Sequence, residues 1–201
     1  MGALPRPFYR RAARVVARDL LGCVLVSQLG RVRTAGRIVE TEAYLGPEDA
    51  ASHAAFRPGS HALFYGDGGY AYVYRIYGIH FCLNAITGTT GTPGCVLIRA
   101  LEPVAGVPAM ARRRGLETPS AALTNGPGKL TQAFGITAHE NGADLTTGQL
   151  VIEPADVPRT FTIASGRRIG ITRAADLPLR FWVRGSSWVS RGERRASTSR
   201  P

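Results

Sequence analysis

Gly36-Arg37-Ile38-Val39-Glu40-Thr41-Glu42-Ala43-Tyr44 is the stretch whose reading settles the fold class. From Arg37 to Tyr44 it alternates as a strand does, so Glu40, Glu42 and Tyr44 face one way and Val39, Thr41 and Ala43 the other. Cys23 to Val26 precedes it as a short strand. Ala71 to Tyr77 and His80 to Ile86 follow as two strands joined tightly near Gly78, hence a hairpin. Cys95 to Leu101 is a strongly apolar strand, and shorter ones are expected at Leu150 to Ile152, Phe161 to Ala164, Ile169 to Thr172 and Phe181 to Val183. The result is a single α+β domain with a mostly antiparallel sheet.

Helices fill the gaps. Phe8, Ala12, Val15, Val16 and Leu20 recur with helical spacing before Gly22, with Arg10, Arg11, Arg14 and Arg18 on the wetter side. Val107 to Arg114 and Gly128 to Phe134 are further helices, and Gly135 stops the second. Gly46 to Gly69 is rich in Gly, Pro, Ala and His and reads as a long irregular loop, a kind more often functional than idle. Residues 1–190 form the expected domain; from Arg191 the basic tail 191–201 has no apolar period and is expected to be disordered.

The chain carries 25 Lys and Arg against 14 Asp and Glu, a formal charge of +11, which favours a polyanionic partner, nucleic acid before membrane. No apolar run of about 18 residues and no signal-peptide stretch appears, so a cytoplasmic location is expected, at the nucleoid in a bacterium. Cys23, Cys82 and Cys95 are isolated among apolar neighbours and read as buried thiols. His53, His61, His80 and His139 are scattered without metal-ligand spacing, so neither metal nor cofactor is expected. Lys129 is the only lysine, leaving just that side chain and the α-amino group for Schiff-base chemistry.

Four features bear on chemistry. An acidic strand face is common in itself, but Glu40, Glu42, Glu48 and Asp49 form an acidic exception on a basic chain, and acid near bound phosphates costs affinity. Tyr70, Tyr72, Tyr74 and Tyr77 crowd the hairpin, either as cross-strand packing or as a stacking surface with a wedge at its tip. Arg99, inside an apolar strand, must be ion-paired or serve a site. Gly126-Pro127-Gly128-Lys129 lacks the Walker spacing, since Leu123 stands where its first Gly belongs; it reads as a helix N-terminus that contacts a DNA phosphate.

Six blocks, in order, resemble the alkyladenine (3-methyladenine) DNA glycosylase family. They are Gly36 to Asp49, Tyr72 to Gly78, Cys82-Leu83-Asn84, Val96 to Pro103, Gly126 to Leu130, and Phe181-Trp182-Val183-Arg184-Gly185. The resemblance implies a curved sheet with surrounding helices and a protruding hairpin that enters DNA. It implies a monomer acting on double-stranded DNA, excising purines such as 3-methyladenine, hypoxanthine and ethenoadenine by hydrolysis and without lyase activity. Glu42 would be the general base, with Arg99 and the backbone carbonyl of Val183 holding the water. Tyr44, His53 and Tyr74 would sandwich the flipped base, Asn84 would crowd the 2-amino group of guanine, and Tyr77 would fill the gap in the duplex.

The physical reading agrees. Alkylation at N3 or N7 makes the base a better leaving group, stacked aromatics suit a flat electron-poor ring, and a carboxylate stabilises an oxocarbenium-like sugar. The chain departs from the family at Phe56 to Phe64, where a Thr-Pro-Arg-Asn-like segment is usual, and at Asp67, where proline is common. The alternatives are a non-catalytic reader of damaged or distorted DNA, which needs the wedge but not Glu42, and a hydrolase of free nucleosides, which needs the carboxylate but not Tyr77.

Overall fold

In the computed structural model, which describes residues 2–57, 61–155 and 158–190, the chain enters through two short helices, α1 (Arg6–Tyr9) and α2 (Ala13–Asp19). The apolar spacing from Phe8 to Leu20 predicts one helix there. The break has a tertiary cause: the Tyr9 carbonyl accepts the Gly88 N–H at 2.9 Å, and Ala12 turns to an extended ψ of 139°. Val16, Ala17 and Leu20 reach the core, whereas Val15 is left 44% exposed. Gly22 ends this segment at φ 88°, as its position after the last periodic residue anticipates.

The strands are β1 (Val24–Ser27), β2 (Thr34–Tyr44), β3 (Ala71–Ile76), β4 (His80–Thr87), β5 (Gly94–Ala105), β6 (Leu150–Glu153), β7 (Ile163–Gly166) and β8 (Arg180–Val183). They form one antiparallel sheet in the order β3-β4-β5-β2-β1-β6. The long strand β2 is where the sheet forks. One edge pairs with β5 over almost its whole length; on the other, residues 34–37 pair with β1 and residues 40–42 with β8, which in turn carries β7. The β2–β5 register slips twice within three residues: Ile38 faces Leu101, Glu40 faces Ala100, and Thr41 faces Ile98. Val39 on one strand and Arg99 on the other are therefore extra residues. Such bulges bend the strand and re-aim side chains, so the sheet curls here into a half-barrel.

Helices pack against one face of it. Two of them, α5 (Val107–Arg114) and α6 (Pro127–Phe134), end in left-handed glycines, Gly115 and Gly135, and α6 begins with proline at its first turn, where no N–H is needed. Leu130, Ala133 and Phe134 of α6 join Val16 and Ala17 of α2, Leu20 just after it, and Met110 of α5 in one core with Ile38, Val73, Leu83, Val96, Ile98 and Leu101. Within the long loop the chain makes two single turns, α3 (His53–Phe56) and α4 (His61–Phe64); the Ser52 side chain caps the first by accepting the Ala54 N–H.

One expected strand is not there. Ile169 to Thr172 forms an irregular loop, because the Ile169 N–H is spent on a carboxylate instead of a neighbouring strand, and β7 lies a few residues earlier. No helix among the described residues is long and apolar enough to cross a membrane. The basic tail 191–201 lies outside the described residues. Phe134 is fully buried between α6 and the sheet, so Phe134→Ala is expected to destabilise the domain by about 3–5 kcal/mol. Urea denaturation of both proteins checks this; a loss below about 1 kcal/mol would mean that the site collapses around the gap.

Candidate active site

The bulged register at residues 38–41 sets the electrostatics of the site. Glu40 and Glu42, two apart on β2, are both fully buried. Arg99, the extra residue of β5, reaches between them: its Nε donates to Glu40 Oε1 at 3.2 Å and its Nη1 lies 3.2 Å from Glu42 Oε1. Arg180 Nε donates to Glu40 Oε1 at 2.6 Å, and Ser190 donates to Glu40 from both its backbone N–H and its hydroxyl. Burial would lower the pKa of Arg99, but the charges of Glu42 and Glu40 outweigh it and hold that pKa above its ordinary value.

Glu42 takes three donors. Oε1 accepts the Ile169 N–H at 2.7 Å besides facing Arg99, and Oε2 accepts the Tyr44 hydroxyl at 2.9 Å. Burial and the neighbouring Glu42 push the Tyr44 pKa well up, which keeps its hydroxyl proton in place as a donor. Beyond Tyr44 opens a cavity of about 460 Å³ lined by Tyr44, Ala50, Ala51, His53, Phe56, Phe64, Tyr72, Tyr74, Asn84, Cys95 and the segment Gly170 to Arg173, among others. It has the size and aromatic character of a small-molecule site.

Strand alternation explains most of its wall. Tyr72 and Tyr74 lie on one face of β3, stacked with ring centres 5.3 Å apart, while Val73 points into the core. His53, at the start of α3, meets Tyr74 at 4.5 Å between ring centres and bonds through Nδ1 to the Tyr72 hydroxyl at 2.8 Å. Asn84 is paired with Tyr72 across β3 and β4, and its Nδ2 donates to the Tyr72 carbonyl at 3.0 Å, which fixes the amide on the cavity floor. Burial, then the nearby Arg57 cation, lowers the His53 pKa to about 4.

The structure thus gathers Tyr44, His53, Tyr74 and Asn84 around one cavity and sets Glu42 and Arg99 behind its Tyr44 wall. Val183 is not brought there. It ends β8, its carbonyl accepts the Ser186 N–H at 3.3 Å, and it lines a separate cavity with Val39, Phe161 and Trp188. The backbone group on Glu42 belongs to Ile169 instead. Tyr77 stands at the hairpin tip, 87% exposed, with neighbouring Ile79 at 74%. Its φ of 49° is a left-handed conformation shared, among non-glycine residues described, only by Ala174; with Gly78 at φ 73° it makes the tight turn that drives the ring outward.

Gly128 and Lys129 lie outside the cavity. Gly128 presses the start of α6 against His80, the first residue of β4 beside the hairpin turn, where an added Cβ would meet the His80 Cβ at 2.9 Å. Lys129 Nζ donates to Asn125 Oδ1 at 2.8 Å. Sequence reasoning missed Ile169, Arg180 and Ser190, and it left Tyr72 out of the base pocket. Tyr72 was legible from its even spacing with Tyr74; a backbone N–H carries no sequence signal. Asp67 pairs with Arg10 through hydrogen bonds of 2.7, 2.9 and 3.2 Å, tying the long loop to the segment after α1. Among the described residues no His, Cys, Asp or Glu group has the proximity to hold a metal ion.

Residues 7–187 match the family model of methylpurine-DNA glycosylase. The chain belongs to that family. It is 51% identical over 191 residues to a protein of Methanoculleus marisnigri, spanning 94% of this chain and 98% of the relative. It is 47% identical over 194 residues to one from Koribacter versatilis, spanning 94% of each, and 45% identical over 197 residues to one from Myxococcus xanthus, spanning 96% and 95%. All three are provisionally named 3-methyladenine DNA glycosylases. The fold and the glycosylase family therefore agree with the resemblance carried by the six sequence blocks.

The lowered His53 pKa has a consequence for stability. The unfolded chain takes up a proton at His53 near pH 6.5, the folded chain only near pH 4. Between those values the unfolded state binds more protons, so stability falls as pH drops from 6.5 towards 4. Thermal melts across that window are expected to show a steeper acid loss in the wild type than in His53→Gln; parallel curves would contradict the neutral, buried imidazole.

Proposed function

We propose that this glycosylase flips alkylated or deaminated purines from double-stranded DNA into the aromatic cavity and hydrolyses the N-glycosidic bond with a water activated by Glu42. The observation that carries the reading is the juxtaposition of a fully buried carboxylate, held by Arg99 and the Ile169 N–H, with a cavity walled by Tyr44, Tyr72, Tyr74 and His53. An electron-poor base stacks on those rings, while the neutral His53 adds no cation to oppose a positively charged alkylpurine.

In the reaction the C1′–N bond breaks with its electron pair going to the base, and the sugar gains positive charge that Glu42 stabilises. Water adds to C1′ and passes a proton to Glu42. In the free protein the Tyr44 hydroxyl occupies Oε2, so docking of the nucleotide has to release that oxygen to the water. Arg99 and Ile169 stay on Oε1 and keep the carboxylate aimed. Water is the nucleophile, so no amine is needed and the product is an abasic site in an unbroken strand. Lys129, the only lysine, lies outside the cavity lining and is engaged with Asn125.

Tyr77 acts as the wedge, entering the minor groove to fill the space left by the flipped nucleotide; its exposure and its position on a turn support this. Asn84, immobilised by the Tyr72 carbonyl, crowds the 2-amino group of guanine. The chain acts as a monomer.

Base release from duplex oligonucleotides containing hypoxanthine, ethenoadenine or 3-methyladenine tests the reading. Glu42→Gln is expected to lose roughly 10²–10⁴-fold in excision while still binding the duplex. Release by the wild type alone, with no strand cleavage, is the expected result. Tight lesion binding without release by either protein would turn the reading to a non-catalytic damage reader. Tyr77→Ala is expected to bind lesion duplex more weakly while its affinity for undamaged duplex changes little; equal loss on both would make Tyr77 a general DNA contact.

A further inference from the structure

The ion pair between Arg168 and Asp49 takes no part in the chemistry above, yet both side chains are fully enclosed and their contacts span the site. Arg168 Nη1 donates to Asp49 Oδ2 at 2.5 Å and to the Ala43 carbonyl at 3.1 Å; Nη2 donates to Asp49 Oδ1 at 2.8 Å and to the Ala174 carbonyl at 3.2 Å. Its guanidinium carbon lies 4.7 Å from the centre of the Tyr44 ring. Asp49 also accepts the Leu45 and Ala51 N–H groups, each at 3.1 Å. One guanidinium therefore joins the end of β2, the turn leading to α3, and the 168–174 loop.

Two of those segments line the cavity, through Ala50, Ala51 and His53 and through Gly170 to Arg173. Ile169, whose N–H sits on Glu42, directly follows Arg168. At the far end of the loop Ala174 has φ 47°, a backbone state that residues with a Cβ seldom adopt unless their surroundings impose it. Burying an ion pair is a poor route to stability, because desolvation offsets much of the attraction; what a bidentate fork supplies is direction.

We propose that Arg168, clamped by Asp49, is a positioning residue for base excision: it fixes the 168–174 loop so that the Ile169 N–H stays on Glu42 Oε1, and it fixes the Tyr44 ring as a wall of the cavity. This role rests on the reading of Glu42 as the general base. Without the clamp the loop relaxes, the carboxylate loses its backbone anchor, and the attacking water is misaimed, while the surface outside the cavity that meets the duplex is unchanged.

The test uses the full chain at a temperature where circular dichroism shows each variant folded. Single-turnover base release at saturating enzyme is measured beside affinity for a duplex carrying a non-hydrolysable abasic-site analogue. Arg168→Lys and Asp49→Asn are expected to slow release about 10- to 100-fold, because small misplacements of reacting groups carry penalties of that order. Affinity for the analogue duplex is expected to change by less than about threefold, the split that marks an effect on the chemical step. Methylguanidinium is expected to restore part of the rate of Arg168→Ala and none of that of Asp49→Asn.

Wild-type rates in folded Arg168→Lys and Asp49→Asn, beside an inactive Glu42→Gln, would overturn the positioning role alone. Rate and affinity falling together would overturn it too, since that marks general loosening. An active Glu42→Gln would remove the general base and the positioning role with it.

Discussion

The guanidinium of Arg99 is the constraint around which the site is arranged. Two carboxylates buried two residues apart on one strand repel each other strongly in a medium of low dielectric, and each alone would carry a large desolvation cost. Arg99 lies between them because β5 carries one residue more than β2 at that point, which swings the side chain into the gap. Arg180 and Ser190 complete the neutralisation of Glu40. Glu40 then holds Arg99 in place, and Arg99 holds Glu42. The same bulges curl the sheet, so the feature that makes the charges tolerable also shapes the sheet against which the helices pack.

That arrangement divides labour between rigid and adaptable parts. The carboxylate and its cation sit on central strands, bonded on both edges; the cavity wall is completed by α3 and the 168–174 loop. The hairpin is the edge of the sheet: β3 lends Tyr72 and Tyr74 to the cavity, the start of α6 packs against His80 beside the turn, and an exposed aromatic stands at the tip. On the proposed reading the reacting carboxylate gains from that fixed position, and the hairpin that would meet DNA gains from projecting beyond the sheet.

The basic composition also takes on a different meaning in three dimensions. Arg6, Arg10, Arg11, Arg37, Arg99, Arg168 and Arg180 all pair with carboxylates, and several of them are buried. The excess positive charge still favours a polyanion, but it does not map residue by residue onto a DNA surface. Asp67 is accounted for in the same way: its partner is Arg10.

Local period and local chemistry determined much of this protein from the sequence by itself. Alternation from Arg37 to Tyr44 put Glu40, Glu42 and Tyr44 on one face; the β3–β4 hairpin, α5, α6 and the glycine after α6 follow from spacing and capping; and the resemblance picked out the aromatic residues that line the cavity. The tertiary structure decided what depends on distant partners. It split the first helix, because the Tyr9 carbonyl is claimed by Gly88, and it turned the expected strand at Ile169 to Thr172 into a loop. It placed the Ile169 backbone on Glu42 and left Val183 facing another cavity. Every residue but proline has a backbone N–H, so no side-chain pattern reveals which one will meet a carboxylate more than a hundred residues away. Only the path of the folded chain brings the two together.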